Sequence, residues 1–283
     1  MQSKLVWGVF FVLLANSSFS FAMMHDPRAL EANPFSATKP IAPKLAGLGE
    51  HSFPVTTSSA ESQYFFNQGL RLTYAFNHSE ALRAFKEAVR LDPMNAMAYW
   101  GWALVLGPNI NLPMQEYAAD QAFEAIQKAS KLKKLVSKRE AAYINALTTR
   151  YSKDASLTRT ILDKNYADSM AKLSGLYPED LDALTLYGAA LMNLSPWDYW
   201  LGDMSPKLNT KKILDAFESV LERAPRHPGA IHYYIHTVEL AQPKKAEGYA
   251  DTLIDLMPGA GHMVHMPSHI FMRVGRYQDA YMV

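Results

Sequence analysis

A recurring spacing of small, aromatic and proline residues constrains the fold of this chain more than any other feature. In the segment FFNQGLRLTYAFNHSEALRAFKEAVRLDP the pattern consists of Gly69, Ala81, Phe85, Ala88 and Pro93. Gly69 and Ala81 are small where two helices would cross closely, and Phe85 would fill the gap between them. Pro93 would stop the second helix, because proline donates no backbone hydrogen bond. The pattern therefore predicts a helix-turn-helix unit.

The same frame returns along the chain with changes in length. It recurs at Gly188, Phe217 and Pro225, then at Ala246 and Pro258, and begins again at Gly275, Tyr277 and Ala280. The copy that starts at Gly188 carries an insertion, LSPWDYWLGDMSP, and the last copy stops at Val283. Stacked units of this kind share one continuous core, and half a unit would leave an apolar face uncovered. We therefore expect the natural protein to continue beyond Val283.

On these residues the chain resembles the tetratricopeptide repeat family. More narrowly, it is similar to a group of bacterial exported repeat proteins through the segments HSFPVTT, MNLSPWDYW, HPGAIHYYIH and PGAGHMVHMPSHIFMRVGRY, and the resemblance covers nearly all of residues 51–283. It implies an all-α solenoid of antiparallel helix pairs, wound into a right-handed superhelix with a concave groove. Residues 58–283 would hold about five repeats and an incomplete last one. No activity follows from the resemblance.

The first 22 residues have the pattern of a secretory signal. Lys4 supplies the positive start, an apolar run follows, and Ser20-Phe21-Ala22 provides a cleavage site of the small-x-small type. The apolar run is shorter than the roughly 20 residues that a spanning helix needs, so an uncleaved membrane anchor is the less favoured alternative. We expect a periplasmic or extracellular bacterial protein with no membrane span after cleavage.

Residues 23–57 differ in composition from the repeats that follow. They contain five prolines and have no helical periodicity, which predicts an extended leader on the surface. Ser58 and Glu61 form a candidate capping box at the start of the helical region. The formal charge is only +1, and basic residues are scattered along the chain. This distribution argues against nucleic-acid binding.

Five of the nine histidines fall in two neighbouring units, and four of them are at matching positions. His232 and His236 occupy positions 5 and 9 of one unit, whereas His262, His265 and His269 occupy positions 2, 5 and 9 of the next. Histidines four residues apart on a helix lie on one face, about 5–6 Å apart at their β-carbons. The family resemblance implies that positions 2, 5, 9 and 12 of a first helix face the groove. We therefore expect the imidazoles to converge there.

A metal ion is the favoured explanation for such a cluster. Imidazoles without a ligand would repel one another once several were protonated, and the absence of cysteine leaves nitrogen, oxygen and thioether ligands. The predicted ligands are His232, His236, His262, His265, His269 and Glu239, with Met272 as a further candidate. Zn²⁺ suits three or four nitrogens. Copper is credible because Met263, Met266 and Met272 are close in sequence, and iron remains open. The ion could be stored, delivered or used in catalysis.

The alternative is a metal-free groove that binds a peptide or a protein partner. Trp100, Trp197, Tyr199 and Trp200 are the candidate aromatic residues for this role. The three in the insertion could equally roof the groove or cover an edge of the repeat array. Whether the protein is an enzyme stays open, because the sequence has no phosphate loop, HExxH motif or nucleophile elbow.

Three details affect the geometry of the site. Pro267 would either kink the helix that carries His269 or mark its late start, which would leave His262 and His265 on a loop. His227, directly before Pro228, is expected to cap a helix rather than bind metal. Three other histidines, His25, His51 and His78, lie in the leader or in turns, where we expect them to be solvated.

Overall fold

A computed structural model describes residues 34–283, and this part of the protein is all-α. Residues 34–283 form twelve α-helices and no β-strand, in agreement with the predicted class. The helices are α1 Ala60–Tyr74, α2 His78–Leu91, α3 Ala96–Leu106, α4 Ala119–Leu132, α5 Lys138–Thr148, α6 Arg159–Leu176, α7 Leu181–Met192, α8 Leu208–Arg223, α9 Pro228–Val238, α10 Glu247–Ile254, α11 Gly261–Val274 and α12 Tyr277–Met282. The predicted signal peptide lies outside the described residues, as does the leader before residue 34.

The helix ends follow from short polar side chains and from prolines. Asn77 and Asn95 cap α2 and α3 by accepting hydrogen bonds from backbone N–H groups of the first turn. Helix α2 ends at Leu91, two residues before Pro93, as predicted. The cap of α1 is Ser59, whose side chain accepts from the amide of Ser62. The prediction of a capping box at Ser58 was therefore wrong by one residue.

Close helix crossings occur at the glycines of the repeating pattern. A β-carbon placed on Gly69 would lie 2.8 Å from the Phe85 ring, and one on Gly188 would lie 2.5 Å from the Phe217 ring. Both phenylalanines are fully buried. The same small-against-aromatic contact thus forms in the α1–α2 pair and again in the α7–α8 pair, which confirms the physical basis of the predicted pattern.

The helices pack in chain order, and one contact joins distant parts of the chain. Each helix contacts the next, and several odd-numbered helices also contact each other, as α9 does with α7 and α11. Helix α1 contacts α9 as well. Because of this contact, the inner faces of early and late helices meet instead of lining an open groove there. The right-handed superhelix stays a prediction.

The described part of the leader, residues 34–57, has no helix, as predicted, but it does not lie only on the surface. Leu48 and Phe53 are buried in the helical core. Backbone amides of the leader also donate to helix side chains, for example Ile41 to Glu87 at 2.8 Å and Leu45 to Gln68 at 2.9 Å. The leader is therefore part of the packed structure.

The insertion between α7 and α8 forms a loop that packs back on the helices. The indole N–H of Trp200 donates to the carbonyl of Thr237 on α9 at 2.8 Å, and that of Trp197 donates to the carbonyl of Ile110 at 2.8 Å. Trp197 has a φ of 64°, a left-handed value that is uncommon outside glycine. No helix among residues 34–283 combines the length and the apolar character needed to cross a bilayer.

Candidate metal centre

Two neighbouring helices, α9 and α11, carry the five predicted histidine ligands. Helix α11 begins at Gly261 and continues through Pro267 to Val274, so His262 and His265 are helical rather than part of a loop. The left-handed residue Gly275 closes it, with a φ of 85°. The structure therefore presents all five imidazoles on regular helices.

His232 and His262 face each other in one part of the cluster, where His232 is fully buried and His262 half-buried. The Nε2 atoms of the two rings are 3.0 Å apart, and Nδ1 of His232 is 2.6 Å from the backbone carbonyl of Tyr74. A carbonyl only accepts hydrogen bonds, so the proton of the neutral His232 ring is on Nδ1 and its Nε2 carries a lone pair. This arrangement is typical of metal-binding histidines, in which a bond at one nitrogen orients the other toward the ion.

His236 contributes a third nitrogen to the same place. Its Nδ1 lies 3.5 Å from Oε1 of Glu239, while its Nε2 is buried and has no hydrogen-bond partner. His236 is only 3% exposed. Ligand atoms of His232, His236 and His262 all lie within 4.8 Å of one another. A buried polar atom without a partner is costly, and a bound cation would satisfy it.

Glu239 connects this group to the remaining two histidines. Its Oε2 lies 2.7 Å from Nδ1 of His269, whose Nε2 lies 3.0 Å from Nε2 of His265. Ligand atoms of His236, Glu239 and His269 again lie within 4.8 Å of one another. The carboxylate can thus accept a hydrogen bond from an imidazole on each of its oxygens.

The protonation of the cluster favours cation binding at neutral pH. Burial lowers the pKa of His236, and it lowers the pKa of His262 to about 3 with the help of neighbouring imidazoles. The pKa of His232 lies well below its ordinary value for the same two reasons. Burial would raise the pKa of Glu239, but hydrogen bonds from His236 and His269 bring it to about 2. Neutral imidazoles around an ionised carboxylate are the forms that bind metal.

Aromatic side chains wall the cluster on two sides. The Phe76 ring lies 4.5 Å from the His232 ring and 5.5 Å from the His262 ring, measured between centroids. Trp197 meets His236 edge-on at 5.0 Å. Phe76 is buried, whereas Trp197 is 46% exposed. The centre is therefore covered from inside by α1 and its turn, and partly from outside by the insertion.

The three methionines that were expected near the metal site are placed differently from the histidines. Met263 and Met266 are fully buried in the hydrophobic core and contribute to packing. Met272, the additional predicted ligand, is 56% exposed. The sequence argument for copper rested partly on these three residues and partly on the high affinity of copper for nitrogen ligands; packing accounts for the first two methionines.

The structure corrects the prediction that four aromatic residues line a groove, because three of them are buried. Trp100 is 1% exposed and packs against Tyr143 and Phe66 in the core. Tyr199 and Trp200 are also buried. Only Trp197, among these four, presents a large surface. The helix that carries Trp100, α3, contacts both α1 and α5. A side chain between such helices is buried in the hydrophobic core and does not line a groove.

A second histidine group lies near the first and has a different chemistry. Oδ1 of Asp182 lies 2.8 Å from Nε2 of His51, 3.4 Å from Nε2 of His227 and 2.6 Å from the hydroxyl of Tyr74. Nδ1 of His227 accepts from the amide of Ala230 and caps α9, as predicted. The proton of neutral His227 is therefore on Nε2, which cannot then bind a metal.

This group, His51, Asp182, His227 and Tyr74, is a polar latch between the leader and the helices. Burial would raise the pKa of the Asp182 carboxyl, but polar contacts with His227 and His51 hold it well below its ordinary value. The prediction that His51 is solvated was wrong. It was also wrong for His78, which is 6% exposed and lies 3.3 Å from the Asn109 amide; His25 lies outside the described residues.

Sequence reasoning missed Tyr74 and Phe76, the two residues that orient and cover His232. Both stand in the sequence YAFNH, at the turn between α1 and α2. Two large aromatic residues at a helix-helix turn are unusual, because turns favour small and polar residues. That signal indicated a turn buried against another part of the molecule, although not which part.

Comparison with known proteins adds no family to this picture. No protein-family model matches the chain, and a comparison with curated proteins finds no significant similarity. The interpretation of the centre therefore depends on its own geometry: three convergent imidazole nitrogens, an orienting carboxylate and a carbonyl that fixes one tautomer.

Proposed function

We propose that the protein binds a Zn²⁺ ion through the Nε2 atoms of His232, His236 and His262. The observation that carries this proposal is Nε2 of His236, which is buried and has no partner. Three neutral imidazoles are a common ligand set for zinc, with the fourth position of its tetrahedron left for water or another ligand. Copper, the other predicted ion, loses the support of Met263 and Met266, because both pack in the core.

The surroundings support binding of a cation. The carbonyl of Tyr74 and the carboxylate of Glu239 accept hydrogen bonds from the Nδ1 atoms of His232 and His236, so little reorganisation is needed when the ion enters. The negative charge of Glu239 would offset part of the ion's charge. Phe76 would limit the access of water from one side. The open fourth position suits transfer of the ion to an acceptor, and it would also permit activation of a bound water.

We further propose that the helix pairs form a superhelix of the tetratricopeptide type, and that the protein acts outside the cytoplasm. The recurring Gly69–Phe85 and Gly188–Phe217 contacts support the first proposal. The signal-like pattern of residues 1–22 supports the second. The protein would then be an exported metal-binding repeat protein that stores, delivers or uses zinc.

Metal analysis of the untagged protein, purified from the compartment in which it matures, tests this function. We expect zinc in stoichiometric amount, and its loss in the variants His236→Gln and His262→Gln, because each removes one of three nitrogens. The variant His227→Asn is the matched control. Asparagine retains the helix cap of α9 and leaves the five imidazoles in place, so this variant should keep its zinc.

Two results would contradict the proposal. Metal-free protein that gains no ion on dialysis against zinc would favour the alternative, a groove that binds a peptide or protein. Stoichiometric copper that depends on the same histidines would retain the site and replace the ion. Circular dichroism of each variant separates loss of the ligand from loss of the fold.

A further inference from the structure

We infer that His265 and His269 form a second metal site, open to solvent, beside the three-histidine centre. The inference rests on the proposed function, because it assigns two ions where one has been proposed. The number of imidazoles motivates it. His232, His236 and His262 supply three nitrogens within 4.8 Å of one another, which leaves the pair His265 and His269 on α11 outside that group.

The geometry of this pair fits an ion of its own. The Nε2 atoms of His265 and His269 are 3.0 Å apart and the ring centroids 4.9 Å. Two ligands on a tetrahedral zinc ion, each at about 2.0–2.1 Å, are separated by a similar distance. The two histidines are also one helical turn apart, so both rings remain on one face of α11 without a change in the backbone.

The hydrogen bonds leave the lone pairs free for a metal. Nδ1 of His269 donates to the ionised carboxylate of Glu239, which places a lone pair on Nε2. On the other ring, Nδ1 of His265 lies 3.4 Å from the hydroxyl of Ser268. That hydroxyl can accept a hydrogen bond and leave Nε2 of His265 free. In the metal-free protein a proton on Nε2 of His265 can bridge the two rings; when a metal ion binds, that proton would move to Nδ1 of His265 and the ion would lie between the two Nε2 atoms.

Glu239 makes two neighbouring cations compatible. Its carboxylate lies between His236 of the buried centre and His269 of the outer pair, at 3.5 Å from one ring nitrogen and 2.7 Å from the other. Its negative charge is therefore close to both ions and reduces their mutual repulsion. The same carboxylate orients one ligand of each site.

The two sites differ in exposure, and this difference predicts their behaviour. His232 is fully buried, whereas His265 is exposed and His269 is partly so. The outer site offers two protein nitrogens, and water would complete its coordination. We expect it to bind Zn²⁺ more weakly than the buried site and to exchange the ion faster.

Equilibrium dialysis against buffered zinc, followed by elemental analysis, tests the inference. The wild-type protein should hold two zinc ions per chain, and a competing chelator of moderate strength should remove one of them first. The double variant His265→Gln/His269→Gln should hold one ion, which the chelator removes slowly. Its fold should persist, because both substituted residues lie at the surface. The variant His262→Gln should lose the slowly removed ion and keep the other.

A control variant separates this inference from the proposed function. His227→Asn, in the latch, should hold two ions. One ion in the wild-type protein would overturn the inference, whether His265→Gln/His269→Gln retains that ion or loses it. Loss of one of two ions in His227→Asn would overturn it as well, by placing the second ion in the latch. No ion at all would overturn the proposed function too.

Discussion

Glu239 is the residue that organises the candidate metal centre. It follows the last residue of α9 and accepts hydrogen bonds from His236 on its own helix and from His269 on α11. Both bonds reach the Nδ1 atoms, so they direct the Nε2 atoms away from the carboxylate. A buried carboxylate in this position is more useful as an orienting group than as a ligand, because its oxygens are already occupied.

Replacement of Glu239 by glutamine tests this role. The amide keeps the shape of the side chain but loses the charge, and it offers only one oxygen to two histidines. We expect zinc affinity to fall by about 10–100-fold, the usual effect of removing an orienting partner, while the protein remains folded. Competition with a chromophoric chelator measures the affinity. Glu222→Gln, at an exposed position of α8, should bind zinc like the wild type; equal affinities in both variants would contradict the role.

The repeat register predicted that these histidines converge, but it predicted their surroundings poorly. His232, His236 and Glu239 share one helix face, and their spacing alone places them together. The partner of His232 is the carbonyl of Tyr74, 158 residues away in the chain, and no local pattern contains that pairing. Trp100 was misplaced for a related reason, since its position within a repeat does not show whether a neighbouring helix covers it.

At the scale of helices, the fit between glycine and phenylalanine sets how closely a pair can pack. Gly188 lies within α7, and its Cα faces the fully buried ring of Phe217 on α8. Glycine is unfavourable inside a helix by about 1 kcal/mol relative to alanine. Its presence at this position therefore reflects the close approach of the ring rather than a local preference.

Alanine substitutions at two glycines separate these effects. Gly188→Ala should lower the free energy of unfolding by up to about 2 kcal/mol, because an overpacking cost of about 1–3 kcal/mol offsets or exceeds the gain of about 1 kcal/mol in helix propensity. Gly175→Ala, in α6, should stabilise slightly, because nothing lies within 4 Å of the added β-carbon. Urea denaturation measures both changes. Equal stabilisation by the two substitutions would show that the Gly188–Phe217 contact is not tight.

The element boundaries were predictable where a single residue determines them. Pro93 and the asparagine caps locate helix ends within a residue or two. The alternative that α11 starts late, at Pro267, was wrong. Proline removes only one backbone hydrogen bond, and the helix continues through it. Packing of Met266 and Ile270 in the core holds this segment helical.

At the scale of the whole molecule, the contact between α1 and α9 brings together two helices that are far apart in the sequence. The latch formed by His51, Asp182, His227 and Tyr74 joins the leader, α1, α7 and α9 at one carboxylate. Asp182 lies in the first turn of α7, where the helix dipole also favours a negative charge. The latch is therefore a polar contact on which the relative placement of four segments depends.

The variant Asp182→Asn should show the pH dependence of this latch. The folded-state pKa of Asp182 is depressed, so its carboxylate stabilises the protein above the ordinary pKa of about 3.9 and loses that effect as the pH falls toward the folded-state value. At pH 7 we expect the variant to be less stable by roughly 3 kcal/mol. The difference should shrink near pH 3.

Denaturation curves at both pH values measure the effect. Asp168→Asn serves as the control, because Asp168 is half exposed and pairs with Lys164 on the surface of α6. That substitution should change stability by less than about 1 kcal/mol at either pH. A difference between wild type and Asp182→Asn that stays constant with pH would refute the electrostatic part of the latch.

Tyr74 belongs to both histidine groups, through its carbonyl to His232 and through its hydroxyl to Asp182. A contact between residues this far apart in sequence costs loop-closure entropy, because a long segment of chain must be closed to form it. The centre is consequently complete only when the turn between α1 and α2 has packed against α9. If the centre binds an ion as proposed, ion binding would therefore report that this long-range contact has formed.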